Sequence, residues 1–123
     1  MKKFIFALTL LLVLPLNGFS QEVYSLKLFF GMSRPEGGGI SMRQWQNFEQ
    51  NTLAKTFEGF TVSDAIGYYK GLPERSKVVT LIIQEKEMEK VRLLARKFAR
   101  SFNQESVMVV TQGVKSWEFI GQN

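Results

Sequence analysis

The chain is 123 residues long, carries 16 basic against 11 acidic side chains, and contains neither histidine nor cysteine. Those two absences remove the usual general base near neutral pH, the strongest common nucleophile and the soft metal sites. No catalytic residue, metal or cofactor is therefore expected. Part of the net charge of +5 sits at the start, where "MKKFIFALTLLLVLPLNGFS" has two lysines, an apolar run from Phe4 to Leu16, and then the small residues Gly18 and Ser20. That order is the pattern of a secretory signal peptide, and the run is shorter than the roughly 20 residues a membrane-spanning helix needs.

The expectation is export to the periplasm or the medium, with residues 1–20 removed after Ser20 and a single domain over residues 21–123. Without Lys2 and Lys3, 14 basic residues face 11 acidic ones, a net of +3 that points to no nucleic-acid partner. No membrane association is expected after cleavage. The lack of cysteine excludes a lipoprotein-type anchor and any disulfide, so packing must supply the stability.

In chain order, "VYSLKLFFG" sets Tyr24, Leu26, Leu28 and Phe30 on one face of a strand. A glycine-rich loop leads to "SMRQ", a capping box in which Ser41 starts a helix reaching about Phe57. Its apolar arc holds Met42, Trp45, Phe48, Leu53 and Phe57, with Glu49 inside it. "TVSDAIGYY" is a second strand, "KGLPE" a turn, and "RSKVVTLIIQ" a third strand apolar on both faces, which predicts cover on both. Residues 85–103 form a helix with Met88, Val91, Ala95, Phe98 and Phe102 inward, acids at its start and bases at its end. "ESVMVVTQ" is a further strand, and "GVKSWEFI" is a candidate fifth strand returning through a tight turn at Gly113.

Strand, helix, strand, strand, helix, strand is the order of two split β-α-β units. It predicts an α+β, ferredoxin-like βαββαβ sandwich: an antiparallel sheet with two helices on one face and the first and third strands central. Helices on one face leave Val78, Thr80 and Ile82 uncovered on the other, which predicts a homodimer.

The ordered motifs "FGMSRPEGGGIS", Trp45, "FTVSDAIGYY", "ERSKVVTL" and "NQESV" resemble a family of small exported bacterial proteins known as domain of unknown function 3574. The resemblance covers nearly the whole chain after residue 20 and implies a compact secreted or periplasmic domain, without implying an activity. Tyr69 stands where the family pattern tends to have tryptophan, and the turn before "FTV" is one residue shorter.

The glycine loop is not a phosphate loop, because Ile40 and Ser41 follow Gly39 where lysine and serine or threonine are required. It is not a dinucleotide fingerprint either, since Met42 occupies the place of a third glycine. Two readings remain open: amide groups at a helix start with Arg34 nearby can accept an anion, or the glycines serve only positive φ angles.

The expected topology brings the loop to the same pole as Tyr68, Tyr69, Arg75, Ser76, Lys77, Gln104, Glu105 and Ser106. The candidate ligand-binding set is Ser33, Arg34, Ser41, Tyr69, Arg75, Ser76, Lys77 and Glu105. The competing expectation is that Glu74 and Glu105 neutralise these cations. Glu49 and Asp64 are the carboxylates available for acid–base work, although a glutamate on an apolar arc more often reaches the helix edge. The functional expectation is a non-catalytic binding module for a small anionic ligand or a protein partner. The alternative is a small periplasmic enzyme using carboxylates or tyrosine at the same pole, and a third reading is a structural subunit.

Overall fold

The computed structural model describes residues 22–123; the expected signal peptide lies outside the described residues. The strands are β1 (Val23–Gly31), β2 (Thr61–Tyr69), β3 (Leu72–Gln84) and β4 (Met108–Gly113). Helix α1 (Met42–Phe48) continues through a π-helical segment (Glu49–Leu53) and a last α-turn (Ala54–Thr56). Helix α2 (Met88–Ser101) follows a 3-10 turn at Glu85–Glu87. The four strands lie in the order β2-β3-β1-β4, every neighbour antiparallel. The chain is thus α+β, with β1 and β3 central and β3 inserted between β1 and β2 as the split β-α-β pattern requires.

Alternation decides which side of the sheet is dry. Leu26, Leu28 and Phe30 of β1 and Val79, Leu81 and Ile83 of β3 point to one face and are buried beneath Trp45, Phe48 and Leu53 of α1 and Val91, Leu94 and Phe98 of α2. Phe30 is the hub. Its ring centroid lies 4.6 Å from Phe98, 5.5 Å from Trp45 and 5.7 Å from Phe48, and Phe102 extends the cluster 4.9 Å from Phe98. Offset and edge contacts of this kind add to the area each ring removes from water.

The π-segment explains an irregularity in the sequence. On a 100° wheel Leu53 overshoots Phe48 to the far edge of the apolar arc, because it stands five positions on rather than four. One turn of i→i+5 geometry, marked by the Ala54 N–H donating to the Glu49 carbonyl, rotates Leu53 into the core. Met42, expected in the same arc, is half exposed instead. Glu49 has a plain explanation: its Oε1 accepts the indole N–H of buried Trp45 at 2.8 Å.

Three expectations need correction. The expected fifth strand is not formed among the described residues, for residues 114–123 lie in no strand. Gly113 continues β4 without the positive φ that a tight return turn needs, while Val114 still donates to the Val23 carbonyl. β3 starts three residues earlier than its pattern suggested, at Leu72. Its second face is covered only in part, with Val78 buried between Phe29 and Ser63 while Ile82 is exposed.

Candidate functional site

The expected pole exists as a neighbourhood. β1 ends at Gly31 opposite Ser76, and Met32 still donates to the Arg75 carbonyl at 3.0 Å. Beyond that bond β1 has left the sheet, but β2 and β3 run on together: Gly67 faces Glu74, Tyr68 faces Pro73 and Tyr69 faces Leu72. The result is a two-stranded arm projecting past the part of the sheet that the helices cover. Pro73 fits because the side of β3 from which its missing N–H would point has no strand to serve. The arm closes on Lys70 and Gly71, whose φ angles of 51° and 80° make the two-residue turn that matches strand twist.

The arm is apolar on both faces. Ile66 is 66% exposed, Tyr68 and Tyr69 73%, and Leu72 72%. Ile66 and Tyr68 share the helix-side face with Arg75, while Tyr69 and Leu72 share the other with Glu74. Lys70 places its ammonium 5.3 Å from the Tyr69 ring centroid. Glu74 folds back toward the sheet, where its carboxylate takes the space that a side chain at position 31 would need, 2.8 Å from a Cβ there. Glycine at 31 is what lets this carboxylate lie flat.

The glycine loop is built as a turn. Gly37 donates to the Arg34 carbonyl and Arg34 to the Gly38 carbonyl, with φ angles of 100° and 78° at Gly37 and Gly38 that a side chain would strain. Ser33 bridges to Gly39, and its carbonyl accepts from Gln104 Nε2 at 2.7 Å, tying the loop to the end of α2. Arg34 lies over the Phe102 ring, 5.8 Å from its centroid, and Nη1 is 3.7 Å from Glu36 Oε2. Glu36 accepts from Asn103 as well. Its own backbone N–H, the Asn103 amide and the Arg34 charge hold its carboxyl below the ordinary value. Ser41 is engaged in the capping box, its Oγ accepting from the Gln44 N–H at 3.1 Å while Gln44 Oε1 accepts from the Ser41 N–H.

Strand alternation divides the remaining candidates. Arg75 and Lys77 point to the helix side, Ser76 to the other. Lys77 is buried at 8% exposure, and its ammonium donates to Asp64 across the β2–β3 pair. That hydrogen bond, the Lys77 charge and Arg75 hold the Asp64 carboxyl below its ordinary value, so it stays ionised at neutral pH. Glu105 is exposed in the α2–β4 connection and makes no ion pair among the described residues. Arg34 and Lys77 are thus committed to internal partners, which leaves Arg75 and the tip residue Lys70 as the pole's accessible cations. The hollows that stand out on the surface lie elsewhere, one on α2 around Leu93, Arg96 and Arg100 and two near Tyr24. Among the described residues no group of three or more acidic side chains is placed to hold a metal ion, and no helix is long and apolar enough to cross a membrane.

Ile66 and Leu72 went unnoticed as site residues in the sequence. The sequence pattern starts β3 at Arg75, so the overhang shows only in the structure, where β3 has thirteen residues against nine in β1.

The family model described as "Protein of unknown function (DUF3574)" matches residues 25–118, from β1 through the arm to Glu118. The chain belongs to this family. No curated protein matches it in sequence. Among solved structures, a phage SAM lyase in complex with S-methyl-5′-thioadenosine is similar at 17% identity and a TM-score of 0.51, over 74% of this chain and 81% of that one. At that identity the likeness is one of fold. For this DUF3574 domain, the arm and the turn-like glycine loop are both within the matched span.

Proposed function

We propose that this DUF3574 domain is a non-catalytic binding module whose working surface is the β2–β3 arm, and that its ligand is a protein. One observation carries the reading: four large apolar side chains, Ile66, Tyr68, Tyr69 and Leu72, stand mostly exposed on an overhanging hairpin. A soluble surface seldom leaves such residues together without use, and tyrosine is favoured in protein interfaces because it buries a large rigid area while keeping a polar tip. The commitment of Arg34 to Glu36 and of Lys77 to Asp64 weighs against a small anion as the main ligand.

A double variant, Tyr68→Ser with Leu72→Ser, tests this. Both substitutions are on exposed arm positions, so circular dichroism should be unchanged. A partner captured by the wild type from the native cell extract should be lost by the variant. The competing reading predicts the opposite pattern. A phosphate or carboxylate would then raise the melting temperature, and Arg75→Ala would abolish that rise while the arm variant would not.

The second reading is a small enzyme with its mouth at the same pole. It is favoured by a single observation, the fold shared with a lyase that was solved with a nucleoside thioether bound. S-methyl-5′-thioadenosine in the same melting assay examines it directly, and a shift that Tyr69→Ser removes would replace the binding-module reading.

A further inference from the structure

We propose that the free edge of β4 is where a second copy of this chain pairs, the two sheets joining antiparallel about a twofold axis at Val110. This is independent of the arm. β4 is the end of the sheet, bonded to β1 on one side and to no other strand among the described residues. Each of its six residues is exposed, Met108 to 58%. Proteins guard such edges with charges, proline, bulges or an overlying helix, since the open row of N–H and C=O groups otherwise recruits another strand. From Val107 to Val114, "VMVVTQGV", there is no charge and no proline. The opposite edge, β2, carries the ionised Asp64.

The backbone direction is fixed by bonds already made. Val114 donates to Val23, so in the β1–β4 register the even-numbered residues of β4 face β1. Val107, Val109, Thr111 and Gly113 then direct their N–H and C=O groups to the free edge. An antiparallel pair related by a twofold axis must have that axis perpendicular to the sheet. Opposite residues therefore share a face and have numbers of the same parity. Centring on Val110 uses the whole stretch: Val110 meets its own copy, Val109 meets Thr111, Met108 meets Gln112, and Val107 meets Gly113.

The occupant follows from that match. The segment is complementary to itself, and no like charges become opposed across the new pair. The nearest, Lys27 beside Val110, would stand three strand spacings from its copy, roughly 14 Å, where salt screens most of the repulsion. The faces also stay in phase. On the side away from the helices, Met108, Val110, Phe29 and Val78 of one copy continue into those of the other.

The test is the oligomeric state of the purified protein by light scattering and sedimentation, for wild type, Thr111→Pro, Val110→Glu and Ile82→Glu. The wild type should be a dimer at micromolar concentration. Thr111→Pro deletes an outward N–H and leaves the β1 ladder its donors, so it should give a folded monomer. Should that variant fail to fold, Val110→Glu decides, because its exposed side chain brings two like charges together on the axis. It should weaken the dimer by about tenfold or more. Ile82→Glu, on the uncovered face away from the edge, should remain dimeric. A monomeric wild type overturns the proposal. A dimer indifferent to Val110→Glu overturns it too, and so does one dispersed by Ile82→Glu, which would mean packing through the sheet face.

Discussion

Two groups of aromatic and aliphatic side chains in this molecule have opposite environments. Under the helices, Phe30, Trp45, Phe48 and Phe98 stack ring against ring with almost no exposure. On the arm, Ile66, Tyr68, Tyr69 and Leu72 stand in water. Both lie on alternating strands or amphipathic helices, so residue type alone does not separate them. What separates them is the presence of a third element, since a strand face becomes core only where a helix or a neighbouring strand reaches over it. Beyond Arg75 nothing does. The contrast implies that the first group sets stability and the second sets what the surface can hold.

The sharpest break of this contrast is Phe98→Ala. It removes the ring nearest to Phe30 and should cost about 3–5 kcal/mol by urea denaturation, a large part of what a domain this small possesses. Next is Trp45→Phe, which keeps most of the packing but leaves the half-buried Glu49 carboxylate without its indole donor. A loss of about 1–3 kcal/mol is expected, and Trp45→Phe combined with Glu49→Gln should recover part of it.

The foot of the arm supplies a pH test. Asp64 and Glu36 both have carboxyls lowered from ordinary values of 3.8 and 4.5. A lowered pKa contributes stability that is full above the unfolded value and disappears as pH falls through the folded one. The denaturation midpoint should therefore hold from neutrality to about pH 5 and fall below pH 4, and Asp64→Asn should flatten that fall. Lys77→Met should cost little, because methionine keeps the buried stem packed while the Asp64 carboxylate left behind is mostly exposed and stays hydrated. Effects on the arm should be comparably small: Tyr68→Ser and Leu72→Ser should each change stability by only about 0.5 kcal/mol, as exposed substitutions do. A loss of several kcal/mol there would mean that the arm is part of the core after all.

β1 and β2 were legible to the residue because their alternation is strict and glycine or a turn closes each. The sheet order followed from the order of elements, since short connections and two helices on one face leave few alternatives. Three features were hidden, each for a geometric reason. The π-segment defeats a wheel drawn at a fixed 100°. The false fifth strand had the right alternation in "VKSWEF" but lacked a turn, because Gly113 keeps an extended φ. The sequence groups the candidate site into one cluster of cations, whereas alternation sends Ser76 away from Arg75 and Lys77, and local acids engage Arg34 and Lys77. Sequence proximity gave the neighbourhood; it could not give pairing, which depends on Asp64 lying opposite Lys77 across two strands.

The π-segment also makes α1 a place where the chain can change length. It holds one residue more than an α-helix would use between Phe48 and Ala54. Deleting exposed Gln50 would leave Leu53 four positions after Phe48, the ordinary α spacing, with both side chains still in the core. A strand has no such slack, because losing one residue there exchanges its two faces. α1 is therefore a slack joint between the two halves of the sheet, able to shed one residue while Trp45 and Leu53 remain where they are.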